Sequence, residues 1–266
     1  MHNIRAGLWV CDLKLGVKAG LQAAAAMHPE ALALDAFDAQ TAPRELSFSG
    51  RRDLARHARN IAPLCALKAD VGGRRLADRA QLDSNLARLR DAFQLAADLG
   101  AARVLVPAGF VPEDKKEHAT ERGTLAEAAR ALIGLSSSLG VRVCWLAGSE
   151  PPATLAAFLN GIDSSGMLDL DLNPGAFVAR AIEPLDALNT LESRIAMARI
   201  ADAYRGGGEA PFGSGDLRCG EVLIGLSALR RNLPVDMLAA CGMECDRVAV
   251  LSKIIKRLKE LRLNPV

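Results

Sequence analysis

The stretch "RIAMARIADAY" at 194–204 closes an apolar run on a guanidinium: Ile195, Ala196, Met197 and Ala198 lead into Arg199, and Asp202 follows three residues later. An arginine at the end of a hydrophobic strand presents a planar fork of donors suited to a carboxylate or a phosphate. The other chemistry open to it is an internal ion pair, with Asp171 or Asp202 as partner. Lys68 and Asp70 end another apolar run, "LCALKA". A desolvated lysine there transfers protons, and a paired one braces a neighbouring acid. Trp9 and Trp145 stand near the ends of two further runs, and the two-residue period of a strand predicts that both point inward. An indole in that position stacks on a sugar ring or fills core. Glu150 follows the second of these runs and reads as a solvated loop residue, or as part of the start of the next helix.

Other chemistries find less support. The six cysteines, at 11, 65, 144, 219, 241 and 245, form no C-x-x-C, and none groups with histidine at zinc-finger spacing. Cys241 and Cys245 lie one helical turn apart, a soft-metal spacing with no third ligand in view. The histidines, His2, His28, His57 and His118, fall on the N-terminal tail, a helix end, a helix and a loop. A formal net charge of +2 argues against a nucleic-acid footprint, and 4 % aromatic content offers no base-stacking platform. No apolar stretch approaches a membrane span, and the N-terminus lacks a signal-peptide layout, so the expectation is a cytoplasmic protein.

The elements that must position these residues alternate regularly. Apolar runs at 4–11, 31–37, 64–69, 103–108, 141–147, 168–172, 195–200 and 234–238 read as strands. Amphipathic patterns at 16–28, 50–60, 81–99, 123–139, 151–161, 184–192, 219–231 and 246–262 read as helices. In "DSNLARLRDAFQLAADLG" the residues Leu86, Leu89, Phe93 and Ala96 share one face, and Gly100 stops the pattern. Strands alternating with helices imply right-handed βαβ units and a parallel sheet. Eight such units in 266 residues predict one α/β domain over 1–266, a (β/α)8 TIM barrel. An open doubly wound sheet would want a glycine-rich turn after the first strand, and "VCDLKLG" has none. The glycine-rich loop "YRGGGEAPFGSGD" follows strand seven at the barrel's C-terminal face, and its "GGG" at 206–208 reads as flexible and not as a phosphate cradle.

Several pieces, in order, resemble the xylose isomerase-like barrels, in particular the sugar phosphate isomerase/epimerase family in its planctomycete-type branch. They are "ALALDAFDAQTAPRELSFSGRRDLARHA", "ADLGAARVLVPAGFVPED", "LNPGAFV", "RIAMARIADA" and "PFGSGDL". The resemblance implies a divalent metal (Mn, Mg, Co or Zn) held by a Glu, an Asp, a His and a Glu at the ends of strands five to eight. It also implies a sugar substrate isomerised through an enediolate. At those positions this sequence has Ala147, Asn173, Arg199 and Met237, or Leu238 with a one-residue slip. Asp202 survives from the strand-seven motif, and Asp35 matches the family's acid on strand two, as a polar mouth residue or a loop brace. Glu150 and Asp236 are the nearest carboxylates that could rebuild a site, and Asp171 points inward one layer deeper than Asn173. The zinc-dependent endonucleases that share this barrel need His, Asp and Glu ligands missing here.

The expectation is a divergent barrel with no metal cofactor, which has lost the metal-dependent reaction and binds a carbohydrate-related or anionic small molecule. Trp9, Asp35, Lys68, Trp145, Glu150, Asn173, Arg199 and Asp202 are the candidate contacts. The alternative is a metal-independent isomerase, epimerase or lyase acting on a sugar or hydroxy acid. No nucleic-acid or membrane partner is expected, and a homo-oligomer is open.

Overall fold

In the computed structural model, which describes residues 4–72, 76–146, 150–163, 166–229, 234–240 and 246–263, eight parallel strands close into a barrel. They are β1 (Ile4–Trp9), β2 (Ala31–Asp35), β3 (Leu64–Lys68), β4 (Arg103–Val106), β5 (Arg142–Leu146), β6 (Leu168–Leu172), β7 (Ile195–Ile200) and β10 (Val235–Ala239). Each pairs in parallel with its neighbours, and β10 closes the ring against β1. The helices between them are α1 (Val17–Met27), α2 (Phe48–Arg59), α3 (Leu82–Leu99), α4 (Ala119–Leu139), α5 (Pro152–Ile162), α6 (Pro174–Ala179), α7 (Pro184–Leu191), α8 (Cys219–Ala228) and α9 (Arg247–Leu263). All eight expected strands form, so the barrel reading stands.

Local chemistry sets the boundaries. Ser47 caps α2 by accepting the Gly50 N–H, and Gly100 ends α3 in the left-handed region at φ 71°. α4 starts at Ala119, earlier than the pattern suggested, and α6 is an addition. The hairpin β8 (Asp202–Ala203) and β9 (Glu209–Ala210), also unanticipated, leads the glycine-rich loop away from β7.

The barrel wall separates two apolar regions. Leu8, Leu34, Val104, Trp145, Leu170, Ala198 and Met237 belong to the outer layer packed under the helices. Trp9, Ala33, Ala66, Leu105, Cys144, Met197 and Leu238 pack together inside the barrel. This division corrects two expectations. Trp145 faces outward, its ring 6.2 Å from Phe158 of α5, and so cannot stack on a ligand in the barrel. Met237 also faces the helices, so the inward residue at the end of β10 is Leu238. Buried parallel strands are apolar on both faces, which leaves the sequence no alternation to mark the inner one.

Charged residues close the barrel's N-terminal floor. Asp236 takes Arg5 at 2.7 Å and Arg103 at 3.1 Å, while Asp169 takes Arg103 at 3.1 Å and Arg142 at 2.8 Å. Arg103 thereby ties β4 to β6 and to β10 on the far side of the ring. Asp236 is spent on this network and cannot serve as a mouth ligand. Among the described residues, no helix is long and apolar enough to cross a membrane.

Candidate functional site

The mouth of the barrel is built by the inward residues at the C-terminal strand ends. Arg199, the fifth residue of β7, extends across to β6, where its Nη2 donates to Asp171 Oδ2 at 2.8 Å. Its guanidinium carbon lies 5.0 Å from the centre of the Trp9 ring, and the Lys68 ammonium lies 5.8 Å from the same ring. One indole thus carries two cations over its π system, a geometry favoured by the ring quadrupole. Lys68 Nζ is 3.6 Å from Asp70 Oδ2. Asp35 stands directly opposite Lys68 in the β2–β3 register, and its Oδ1 accepts the Phe37 N–H at 2.8 Å.

Burial sets the electrostatics. Asp171 is fully buried, and the loss of solvent raises its pKa against the opposing pull of Arg199. For Arg199 burial favours the neutral form, but the Asp171 carboxylate more than compensates and the net shift is upward. Asp35 is also raised, by burial first, with the Phe37 N–H and Lys68 opposing. Burial, with Asp12 and Asp35 nearby, pushes the Cys11 thiol up to about 12, so it stays protonated and is a poor nucleophile. Arg199 Nε, Asp171 Oδ1 and Trp9 Nε1 are buried without a hydrogen-bond partner among the described residues. Such groups are uncommon in native interiors.

The remaining candidates have structural work. Asp202 is buried and gathers backbone amides: Oδ1 accepts from Ala203 and Leu217, and Oδ2 from Gly213 and Gly215, at 2.8–3.1 Å. It braces the loop after β7, anchoring the later part of the glycine-rich segment at Gly213 and Gly215. Asn173 caps α6, its Oδ1 accepting the Ala176 N–H at 3.2 Å. Glu150, read as a solvated loop residue or as part of the start of the next helix, lies two residues before the first residue of α5 and is fully buried. Ala147, His2, Cys241 and Cys245 lie outside the described residues. Leu238 packs so closely over Gly7 that a methyl there would meet its Cδ2 at 2.5 Å.

Two recesses adjoin the mouth, and neither was signalled by the sequence. One of about 370 Å³ is bordered by Cys11, Lys14, Asp35, Phe37, Asp38 and Asp70. The other, of about 860 Å³, lies among the loops after β3 and β4 and the start of α4, with Phe110, Arg79, Lys115 and His118 on its walls. Their residues come from separate loops, which local pattern cannot bring together.

The described donors do not make a metal centre. Among the described residues, no three His, Cys, Asp or Glu side chains are grouped to hold an ion. At the strand ends stand an amide committed to a helix cap, a guanidinium and a leucine. A fixed positive charge within a few ångströms repels a divalent cation.

No protein-family model matches the chain, and no curated protein matches it. Solved structures do. A xylose isomerase domain protein from Planctomyces limnophilus superposes with a TM-score of 0.82 at 17 % identity, over 98 % of both chains. A D-tagatose 3-epimerase-like protein gives 0.77 at 15 %, again over 98 % of both. An IOLI protein with a bound zinc atom gives 0.76 at 13 %, over 99 % of this chain and 98 % of its own. The barrel of this chain is thus the one seen in xylose isomerase-like and sugar epimerase structures.

Proposed function

We propose that this xylose isomerase-like barrel has given up metal-dependent sugar isomerisation and holds a carbohydrate-related or anionic small molecule at its mouth, anchored by Arg199. The observation that carries the reading is the Arg199–Asp171 pair beneath Trp9, a built-in cation at the inner end of β7. In the metal-dependent relatives that the sequence resembles, that place belongs to a ligand imidazole, and the neighbouring strand ends to carboxylates. Asn173, whose Oδ1 caps α6, and the apolar Leu238 supply no charge in their stead. Arg199, four-fifths buried on its side chain, still has an exposed portion through which a carboxylate or phosphate can reach it. The reading carries with it a cytoplasmic protein without nucleic-acid or membrane partners.

The test has two arms. Protein purified with Mn, Mg and Zn supplied is analysed for metal, and sugar acids and sugar phosphates are titrated into wild type and Arg199→Lys. Expected are metal well below stoichiometry and binding that weakens when the guanidinium fork is replaced. One metal per chain at the mouth sinks the first half of the reading, and binding indifferent to Arg199→Lys sinks the second.

A second reading, metal-independent proton transfer on a sugar or hydroxy acid, draws on the register pair Asp35–Lys68 and the raised pKa of Asp35. Turnover of a sugar panel that survives chelation and is lost in Asp35→Asn favours it over simple binding.

A further inference from the structure

On the outer side of the barrel, α2 carries Arg52, Arg56 and Arg59 at i, i+4 and i+7, so one helical stripe presents three guanidiniums. With Ser49, Asn60 and Asp98 they line a surface cleft of about 640 Å³ where α2 packs beside α3. The carboxylates bordering this cleft are already engaged. Asp53 pairs with Arg56 at 2.9 Å, and Asp98 pairs with Arg51 at 2.5 Å and accepts from Gln94 at 3.0 Å. Arg52 and Arg59 are exposed, and among the described residues neither makes a hydrogen bond or an ion pair. Arg59 reaches the C-terminal end of α3, with its Nη2 beside Gly100. Two uncompensated cations therefore flank a neutralised pair on one wall of a small-molecule-sized cleft.

We propose that this cleft binds a small multivalent oxyanion, held between Arg52 and Arg59. Guanidinium forks match phosphate and carboxylate oxygens in geometry as well as charge. Seven residues of helix separate the two Cα atoms by about 10 Å along the axis, so the fitting ligand carries two anionic groups and bridges both arginines. The Ser49 hydroxyl and the Asn60 amide add polar groups to the same lining. None of these residues belongs to the barrel mouth, and the site stands apart from the reading given for Arg199.

Calorimetric titration of the full chain with inorganic pyrophosphate and, separately, citrate tests the proposal and tells phosphate from carboxylate chemistry. Wild type is expected to show one saturable site for at least one of them, weakening with added salt as exposed charges are screened. Arg52→Gln with Arg59→Gln is expected to lower affinity about tenfold or more, because it removes both charge-assisted contacts. Arg52→Lys, which keeps the charge and loses the fork, should fall between. Absence of saturable binding of either anion at low ionic strength overturns the site. So does binding that the double variant leaves intact. Loss of binding in Arg199→Lys instead assigns the anion to the mouth and overturns the cleft.

Discussion

Arg199 holds Asp171 through one hydrogen bond, Nη2 to Oδ2 at 2.8 Å, between adjacent strands inside the barrel. A carboxylate with no exposed surface depends on that guanidinium for its charge. Arg199→Met strands Asp171, and the expected loss in urea unfolding is about 3–5 kcal/mol, the usual cost of breaking a buried pair from one side. Arg199→Met with Asp171→Leu should recover most of it, since an apolar pair of similar volume needs no partner. A double variant as unstable as the single would show that the pair is not the unit described.

The inward face of β10 decides where a carboxylate could serve a cation. In an Arg199→His, Asn173→Asp background, Leu238→Glu is expected to create measurable Mn or Zn binding. Met237→Glu in the same background is expected to bind none, and to lose about 3 kcal/mol or more by burying a charge under the helices. Isothermal titration with each metal, beside thermal melts, separates the two.

Asp35 carries a pH signature. Its folded pKa lies above the ordinary carboxylate value, so at neutral pH the fold bears the cost of an ionised, half-buried group. That cost is full above the folded value and fades as pH falls through it. Asp35→Asn can keep the hydrogen bond from Phe37, and is expected to match or exceed wild type at pH 7, with the difference shrinking on acidification. Denaturation midpoints between pH 7 and pH 4 give the answer, and a gain that grows on acidification contradicts it.

Asp202 is the pin of the segment after β7. Asp202→Ala removes the acceptor for the amides of Ala203, Gly213, Gly215 and Leu217. Hydrogen bonds to a charged acceptor contribute about 1.5–3 kcal/mol each, without simple additivity, so a loss of at least about 2 kcal/mol is expected. Limited trypsin digestion should then cut early after Arg205, while wild type resists there. Equal digestion rates would mean the loop is held by other contacts.

The candidate site was legible in unequal parts. A charge closing an apolar run marks Arg199 in the sequence, which offers both Asp171 and Asp202 as its partner. The structure chose Asp171, because Asp202 is saturated by the backbone of its own loop. The strand period turns both tryptophans inward; Trp9 does lie inside the barrel, and Trp145 packs outside it. The error has a single cause: in β5 both faces are apolar, so a one-residue shift in phase changes nothing in the hydrophobic pattern. Glu150 looked like a solvated loop residue by position alone, and its complete burial depends on contacts the local sequence does not contain.

By itself the sequence determined the barrel, because strand and helix periods and their stops are local properties that eight repeats made unmistakable. It also determined that a permanent cation closes β7. Only the tertiary structure decided which side chains face the interior, how Arg103 spans the floor to carboxylates 66 and 133 residues away, and that Arg52 and Arg59 share an open cleft. Those relations arise when distant strands and helices meet, and the ring's closure fixes them through registers that no stretch of sequence carries alone.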